Sequence, residues 1–295
     1  MLKPNKDATI KAAISLTPVY TKLFRELQKN GGRIIFLPEI AARQNLFGFY
    51  VIMYDNELKF SAALSLALLG EDQFHKLNAE LKDASKEDQQ QFLDAIVEQG
   101  NWDEILKSFQ IPNSPQEWEA AQKQLELLPS EERQALEKRG GFFWSYYFGS
   151  FFNTLALMVH GEKLTTLVPQ AINGDDDAFL KAAQTDRMLL IHHPYFRERK
   201  FRAQNEGDKK FLFRLANHES IPVLVGKIQF PGLYMLFGLL ESFQWLDNLG
   251  ATEILDICVQ ANLDRYQNRI DDECYVSKRL REYRQWQKTL RMSRI

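Results

Sequence analysis

Residue patterns that begin and end α-helices recur along the whole sequence. Residues 114–117 read Ser-Pro-Gln-Glu, in which a capping Ser, a Pro at the first helical position and a Glu three residues after the Ser are typical of a helix N-terminus. Glycines follow many helix-forming runs, where a residue with positive φ commonly ends a helix. They are Gly31, Gly32, Gly70, Gly100, Gly140, Gly141, Gly161 and Gly250. The sequence therefore predicts a mainly α, multi-helical fold.

Apolar residues between these signals are spaced by three and four positions, the spacing of one face of a helix. Examples are Val19, Leu23 and Leu27 near the N-terminus and Val276, Leu280 and Tyr283 near the C-terminus. The pattern predicts about a dozen helices of roughly 8–20 residues, joined by short turns.

Residues 33–60 carry a different pattern. Residues 34–37 and 49–54 are rich in β-branched and aromatic side chains, and Asp55-Asn56 is a turn-forming pair. Residues 38–43 between them resemble a helix start. Short apolar runs do not distinguish a strand from a helix. The sequence therefore leaves open a small β-hairpin in 33–60.

A weak internal repeat links residues 171–180 with residues 203–212, which align without a gap at an offset of 32. The identical pairs are Ala171/Ala203, Asn173/Asn205, Asp176/Asp208, Phe179/Phe211 and Leu180/Leu212. A glycine, a capping Asx residue and an apolar pair are typical of a tight turn between two helices. One interpretation is a short solenoid-like stack of helical hairpins. The other is a helical domain that uses the same turn twice.

Charge is distributed unevenly along a chain that is close to neutral overall. The 295 residues carry a net charge of −2, so no strong global field favours nucleic acid or membrane. Residues 71–140 have a net charge of −8, whereas residues 277–295 have a net charge of +6. This change predicts an N-terminal helical region with acidic helices, 1–140, and a second helical region with a basic C-terminal helix, 141–295. One continuous domain is the alternative.

Two features bear on the location of the protein. The polar N-terminus lacks a secretory signal, and Cys258 and Cys274 are the only cysteines, which predicts a cytoplasmic protein with reduced thiols. Residues 140–159 contain no charge and are long enough to span a bilayer. Aromatic side chains crowd the first half of this segment, and polar side chains are scattered through it. We therefore expect a buried central helix there, with membrane association as the alternative.

Motifs that would indicate catalysis are absent from the sequence. It has no phosphate-binding glycine loop, no zinc-hydrolase His-Glu-x-x-His and no Gly-x-Ser-x-Gly nucleophile turn. The acidic runs 175–177 and 271–273 stand where helices should begin, so we interpret them as caps. Residues 192–194, His-His-Pro, are interpreted as the end of a helix. The sequence thus predicts no catalytic residue, no metal and no cofactor.

Two basic segments, 197–202 and 278–291, mix cations with aromatic side chains. In the second, Arg281, Arg284 and Lys288 recur at helical spacing and form one cationic stripe that phosphates can follow. The candidate nucleic-acid-binding residues are Arg197, Arg199, Lys200, Arg202, Lys278, Arg281, Arg284, Lys288 and Arg291. The alternatives are a solvated terminal helix, cations that complement the helix dipole, or docking onto the acidic region 71–140.

Three hypotheses about function follow from these patterns. The first is a non-enzymatic helical scaffold that recognises another protein. The second is a nucleic-acid-binding protein that uses the two basic segments. The third is a hydrolase whose catalytic residues come from distant positions. Only phosphate binding is expected to weaken steeply as salt is added.

Overall fold

The structure is a computed structural model. It describes residues 6–29, 54–55, 148–217, 228–263 and 273–292, together with residues 85, 123, 127 and 129–131. Within these residues the chain is helical and contains no β-strand, which confirms the prediction of a mainly α fold. The possible β-hairpin in 33–60 lies outside the described residues, except for Tyr54 and Asp55, and so does the predicted boundary at 140–141.

The helices of the described segments are joined by short connections within residues 148–217. They are α1 (Lys6–Lys29), α2 (helical over 148–160), α3 (Leu164–Ile172), α4 (Asp176–Thr185), α5 (Leu189–His192), α6 (Pro194–Glu206), α7 (Lys209–Asn217), α8 (Pro231–Ser242), α9 (Ala251–Gln260) and α10 (Glu273–Met292). A 3-10 turn, Leu246–Asn248, joins α8 to α9.

Two of the glycines that were predicted to end a helix, Gly161 and Gly250, lie in the described residues. Gly161, with φ +73°, follows α2 as the pattern predicts. For Gly250 the prediction of a helix end is wrong, because this residue has φ −75° and is the N-cap of α9. Its backbone N–H donates a 2.9 Å hydrogen bond to Oε2 of Glu253, which satisfies a donor at the start of that helix. A glycine at the N-cap is less common than one after a helix, and the two are alike in sequence.

Helix α2 is the central element of the core. Residues 149–161 are all buried. The ring of Phe151 packs edge-on against Tyr20 of α1 with ring centroids 5.4 Å apart, and Thr154 packs against Gly238 of α8. The prediction that 140–159 is a buried central helix is therefore confirmed over 149–159. In the described part of the chain, no helix has the length and apolar character that crossing a membrane requires.

Helix α1 packs along α8 and also contacts α9. Its buried residues follow one face and include Leu16, Tyr20, Phe24 and Leu27. They belong to the same hydrophobic cluster as the buried residues of the C-terminal half. The first helix and the C-terminal helices thus share one core. The division into 1–140 and 141–295 remains a prediction.

Helices α3 to α7 form a second group of contacts. Helix α3 packs on α4, α5 packs on α6, and α7 contacts both α4 and α6. Phe179 and Phe211, the aromatic pair of the repeat, are both buried. The ring of Phe179 stacks on Phe196 at 4.3 Å and meets Phe211 edge-on at 5.2 Å. The repeat positions therefore meet in one aromatic cluster.

Two aspartates begin the paired helices. Oδ1 of Asp175 accepts hydrogen bonds from the backbone N–H groups of Asp177 and Ala178, and Oδ1 of Asp208 accepts one from Phe211. The prediction that the acidic run 175–177 contains a helix cap is thereby confirmed. The caps are 33 residues apart, whereas the sequence alignment paired Asp176 with Asp208. Asp176 serves a different purpose, described below.

Candidate functional site

Helices α6 and α7 form a hairpin around Gly207 and Asp208. Pro194 begins α6, where its fixed φ suits the first helical turn. Gly207, with φ +69°, ends α6, and a side chain added there would meet nothing within 4 Å. Phe196 and Phe211 pack against Phe179 of α4. We call the side of the hairpin on which they lie its inner side.

Arg199 lies on the inner side of this hairpin, not in solvent. Its Nη2 is 3.3 Å from carboxylate oxygens of both Asp176 and Asp208. Its guanidinium carbon lies 3.9 Å from the centroid of the Phe211 ring. The Arg199 side chain is only 18% exposed. This candidate phosphate-contacting residue therefore joins α4, α6 and the turn before α7.

The contacts of the Asp208 carboxylate favour its charged form, which pairs with Arg199. The backbone N–H of Phe211 and, after it, Arg199 lower the pKa of the Asp208 carboxyl. Two other cations of the hairpin are paired as well, since Arg202 contacts Glu198 at 2.8 Å and Arg214 contacts Asp177 of α4. Of the four cations predicted in 197–202, Arg199 is thus paired in a mostly buried position and Arg202 is paired with Glu198 at the exposed surface of α6.

Two phenylalanines project from the opposite side of the hairpin. Phe201 is 58% exposed and Phe213 is 69% exposed. At about 100° per residue, Phe201 lies about 140° around α6 from Phe196, and Phe213 lies about 200° around α7 from Phe211. Both rings therefore point away from α4.

Cations lie beside these rings. Arg197 and Lys209 are exposed, and each precedes an exposed phenylalanine by four residues. Lys210 lies about 60° around α7 from Phe213, whereas the half-buried Lys200 lies about 40° around α6 from Phe196 and about 100° from Phe201. None of these four cations has an ion pair among the described residues. We call the exposed group Arg197, Phe201, Lys209, Lys210 and Phe213 the outer α6–α7 surface.

The charge of Arg197 acts on a neighbouring histidine. Burial and, after it, the positive charge of Arg197 lower the pKa of His192, so this imidazole is uncharged at neutral pH. His192 is the last residue of α5 and Pro194 the first of α6, which confirms the interpretation of 192–194 as a helix end.

The second basic segment lies on α10, which packs on α8 and α9. The predicted faces of this helix are confirmed, since Val276 and Tyr283 are fully buried and the residues of the cationic stripe, Arg281, Arg284, Lys288 and Arg291, are exposed. Arg284 contacts Asp247, and Nε of Arg291 donates a 2.6 Å hydrogen bond to the Gly161 carbonyl.

The remaining candidate cations of α10, Lys278, Arg281 and Lys288, lie on its exposed face. Nε of Arg281 donates to the Ser277 carbonyl of its own helix at 3.4 Å. Lys278 and Lys288 have no ion pair with any residue that the structure describes. No hydrogen bond, ion pair or ring contact among the described residues joins α10 to α6.

Two parts of the site escaped the sequence analysis. Lys209, Lys210 and Phe213 were not singled out, although residues 209–214 read Lys-Lys-Phe-Leu-Phe-Arg and mix cations with aromatic side chains as 196–202 do. The other part is a buried polar cluster. Nε2 of His193 is 2.8 Å from Oδ1 of Asp55, and the contact spans 138 residues of chain, which no sequence pattern indicates.

The hydroxyl of Tyr54 donates a 3.2 Å hydrogen bond to Oδ2 of the buried Asp186, close to the same cluster in sequence. These contacts tie residues 54–55 to the helices around α5. Nδ1 of His193 is buried and has no hydrogen-bond partner in the described part of the chain. The described residues contain no group of three His, Cys, Asp or Glu side chains arranged to hold a metal ion.

Comparisons with known protein families, with curated proteins and with solved structures find no match for this chain. An inference about function therefore rests on geometry. Within the described segments, the phenylalanines that are mostly exposed to water lie on the outer α6–α7 surface.

Proposed function

We propose that this protein is a non-enzymatic helical scaffold that recognises another protein through the outer α6–α7 surface. The observation that carries the proposal is the exposure of Phe201 and Phe213, at 58% and 69%. Burying a phenylalanine side chain stabilises by about 1.5–3 kcal/mol, so two exposed rings forgo a stabilisation that a partner would restore. Buried aromatic anchors also supply much of the affinity at protein interfaces.

The rings stand on a support that is already ordered. Beneath them Phe179, Phe196 and Phe211 form the aromatic cluster, and Arg199 holds α4 against the α6–α7 turn. A surface that does not reorganise when a partner binds loses less entropy on association. This support favours a preformed recognition surface.

The arrangement of the hairpins extends the proposal. Helices α3–α4 and α6–α7 are two consecutive pairs in contact, whose second helices begin with an aspartate cap and meet through Phe179 and Phe211. We propose that they form a short solenoid-like stack that presents the outer α6–α7 surface. We also propose a cytoplasmic location, which two free thiols support: Cys274 is exposed, and burial raises the pKa of Cys258 to about 12.

Nucleic-acid binding is the second candidate function, and the exposed cations on α10 favour it. Lys278, Arg281 and Lys288 share the exposed face of one helix. Arg284 and Arg291 of the same stripe contact Asp247, Gly161 and Glu241 instead. That pairing reduces the charge available to phosphates.

A peptide-display selection on the immobilised full chain tests the proposal. Selected peptides are synthesised, and their affinities are measured for the wild type, for Phe201→Ser/Phe213→Ser and for Lys278→Ala/Lys288→Ala. The proposal predicts a loss of about tenfold or more for the phenylalanine variant and no change for the lysine variant. Because all four positions are exposed, both variants should unfold like the wild type.

Two results would overturn the proposal. One is equal peptide affinity in the wild type and the phenylalanine variant. The other is tight retention of a 20-nucleotide single strand that the lysine variant loses while no peptide is selected. The second result would establish the nucleic-acid hypothesis instead.

A further inference from the structure

We infer that the partner segment which binds the outer α6–α7 surface is acidic, with apolar anchors spaced among Asp or Glu residues. This inference rests on the proposed function and names the chemistry of its partner. It is argued from the division of cations between the two sides of the hairpin.

The carboxylates of this region are largely used by the inner side. Asp175 caps α4, Asp176 and Asp208 hold Arg199, and Asp177 contacts Arg214. These contacts neutralise the inner cations. They leave few local carboxylates for the outer ones.

No carboxylate among the described residues is paired with the outer cations. Arg197, Lys209 and Lys210 have no ion pair among the residues that the structure describes, and the lowered pKa of His192 reflects in part the positive charge of Arg197. Glu198 is paired with Arg202, which leaves Glu206 as the other carboxylate on α6. The outer α6–α7 surface is therefore positively charged while the protein as a whole is not.

The same arrangement occurs on both helices. Arg197 precedes Phe201 by four residues on α6, and Lys209 precedes Phe213 by four residues on α7. Side chains four residues apart lie on the same face, one turn from each other. Each exposed ring thus has a cation beside it. A segment that places an apolar side chain on the ring and a carboxylate one turn away matches both helices.

A peptide fits this surface better than a nucleic acid does. A nucleic-acid strand carries a charge at every nucleotide, whereas the positive charge along α6 is interrupted by Glu206 and by Glu198, which is already paired with Arg202. Separate carboxylates on a peptide can contact the cations and avoid those acids. Such peripheral charge pairs set specificity and the rate of association.

Three synthetic 16-residue peptides test the inference by fluorescence anisotropy with the full chain. They share the same leucine and phenylalanine positions and carry Glu, Gln or Lys at the intervening positions. The inference predicts that the Glu peptide binds about tenfold more tightly than the Gln peptide and that the Lys peptide binds least. The affinity of the Glu peptide should fall as salt is raised. The variant Arg197→Glu/Lys209→Glu should reverse the order of the Glu and Lys peptides.

The outcomes separate this inference from the proposed function. Equal binding of the Glu and Gln peptides, lost in Phe201→Ser/Phe213→Ser, overturns the acidic partner and leaves the proposed function standing. Binding that is unchanged by the phenylalanine variant overturns both. Tighter binding of a 16-nucleotide thymidine strand than of the Glu peptide also overturns the inference.

Discussion

Gly161 lies so close to Gln287 that a β-carbon added to the glycine would lie 2.7 Å from the backbone carbonyl oxygen of Gln287. The contact places the end of α2 directly against α10. Beside it, Nε1 of Trp286 donates a 2.7 Å hydrogen bond to the carbonyl of Met158, and Nε of Arg291 donates to the carbonyl of Gly161. The two carbonyls are among those that the end of α2 leaves without a helical partner, and α10 supplies the donors.

The first prediction concerns two glycines of similar conformation, Gly161 with φ +73° and Gly207 with φ +69°. Gly207→Ala should lower the free energy of unfolding by about 1–2 kcal/mol, because a β-carbon is strained in the left-handed conformation although it meets no neighbouring atom there. Gly161→Ala should lower it by about 3 kcal/mol or more, since its methyl group also meets the Gln287 carbonyl. Urea unfolding followed by circular dichroism measures both. Equal losses would contradict the close packing of α2 and α10.

The second prediction concerns the hydroxyl of Tyr283, which donates a 2.9 Å hydrogen bond to Oε2 of Glu241. Burial and, after it, the charge of Glu241 raise the pKa of this tyrosine well above its ordinary value. Tyr283→Phe should lower the free energy of unfolding by about 1–2 kcal/mol, because a partly buried carboxylate loses a donor.

Tyr195→Phe is the matched control, since the Tyr195 hydroxyl has no hydrogen bond among the described residues. Its unfolding free energy should stay within about 0.5 kcal/mol of the wild type. A loss in the control as large as that in Tyr283→Phe would show that the Tyr283–Glu241 bond is not the cause.

The third prediction concerns the aromatic cluster of the hairpins. Phe179→Ala and Phe211→Ala should each lower the free energy of unfolding by about 3–5 kcal/mol, because both rings are buried and each leaves a cavity. Phe213→Ala, two residues further on α7, removes the same ring from an exposed position and should change stability by less than about 0.5 kcal/mol. Similar losses of stability at Phe211 and Phe213 would contradict the burial of Phe211 and the exposure of Phe213.

The fourth prediction concerns Arg197 and Arg199, which belong to the same basic segment, 197–202. Arg199→Ala should lower the free energy of unfolding by about 1–2 kcal/mol, since it removes a stacking contact with Phe211 and two partly exposed ion pairs. Arg197→Ala should leave stability within about 0.5 kcal/mol. Thermal unfolding of both variants at low and high salt measures the difference. If Arg197→Ala were the more destabilising change, the assignment of inner and outer cations would fail.

Local signals in the sequence predicted the helical fold well. The cap at Asp175, the helix end at Gly161 and the burial of Phe179 and Phe211 all depend on residues within one or two turns. Such interactions are present in the sequence itself. Gly250 shows the limit, because a glycine between two helices is compatible with ending one or beginning the next.

The division of the cations was not predictable in the same way. Arg199 and Arg197 belong to one basic run, yet one contacts Asp176, 23 residues away, and the other faces solvent. The difference comes from the packing of α6 on α4, which the local sequence does not reveal. The contact between His193 and Asp55 likewise depends on tertiary structure alone.

Hydrogen–deuterium exchange of the full chain, with and without the Glu peptide, locates the partner directly. The account predicts slower exchange across α6 and α7, residues 197–213, and unchanged exchange in α10. Slower exchange confined to α10, residues 273–292, would contradict the outer α6–α7 surface as the site of recognition.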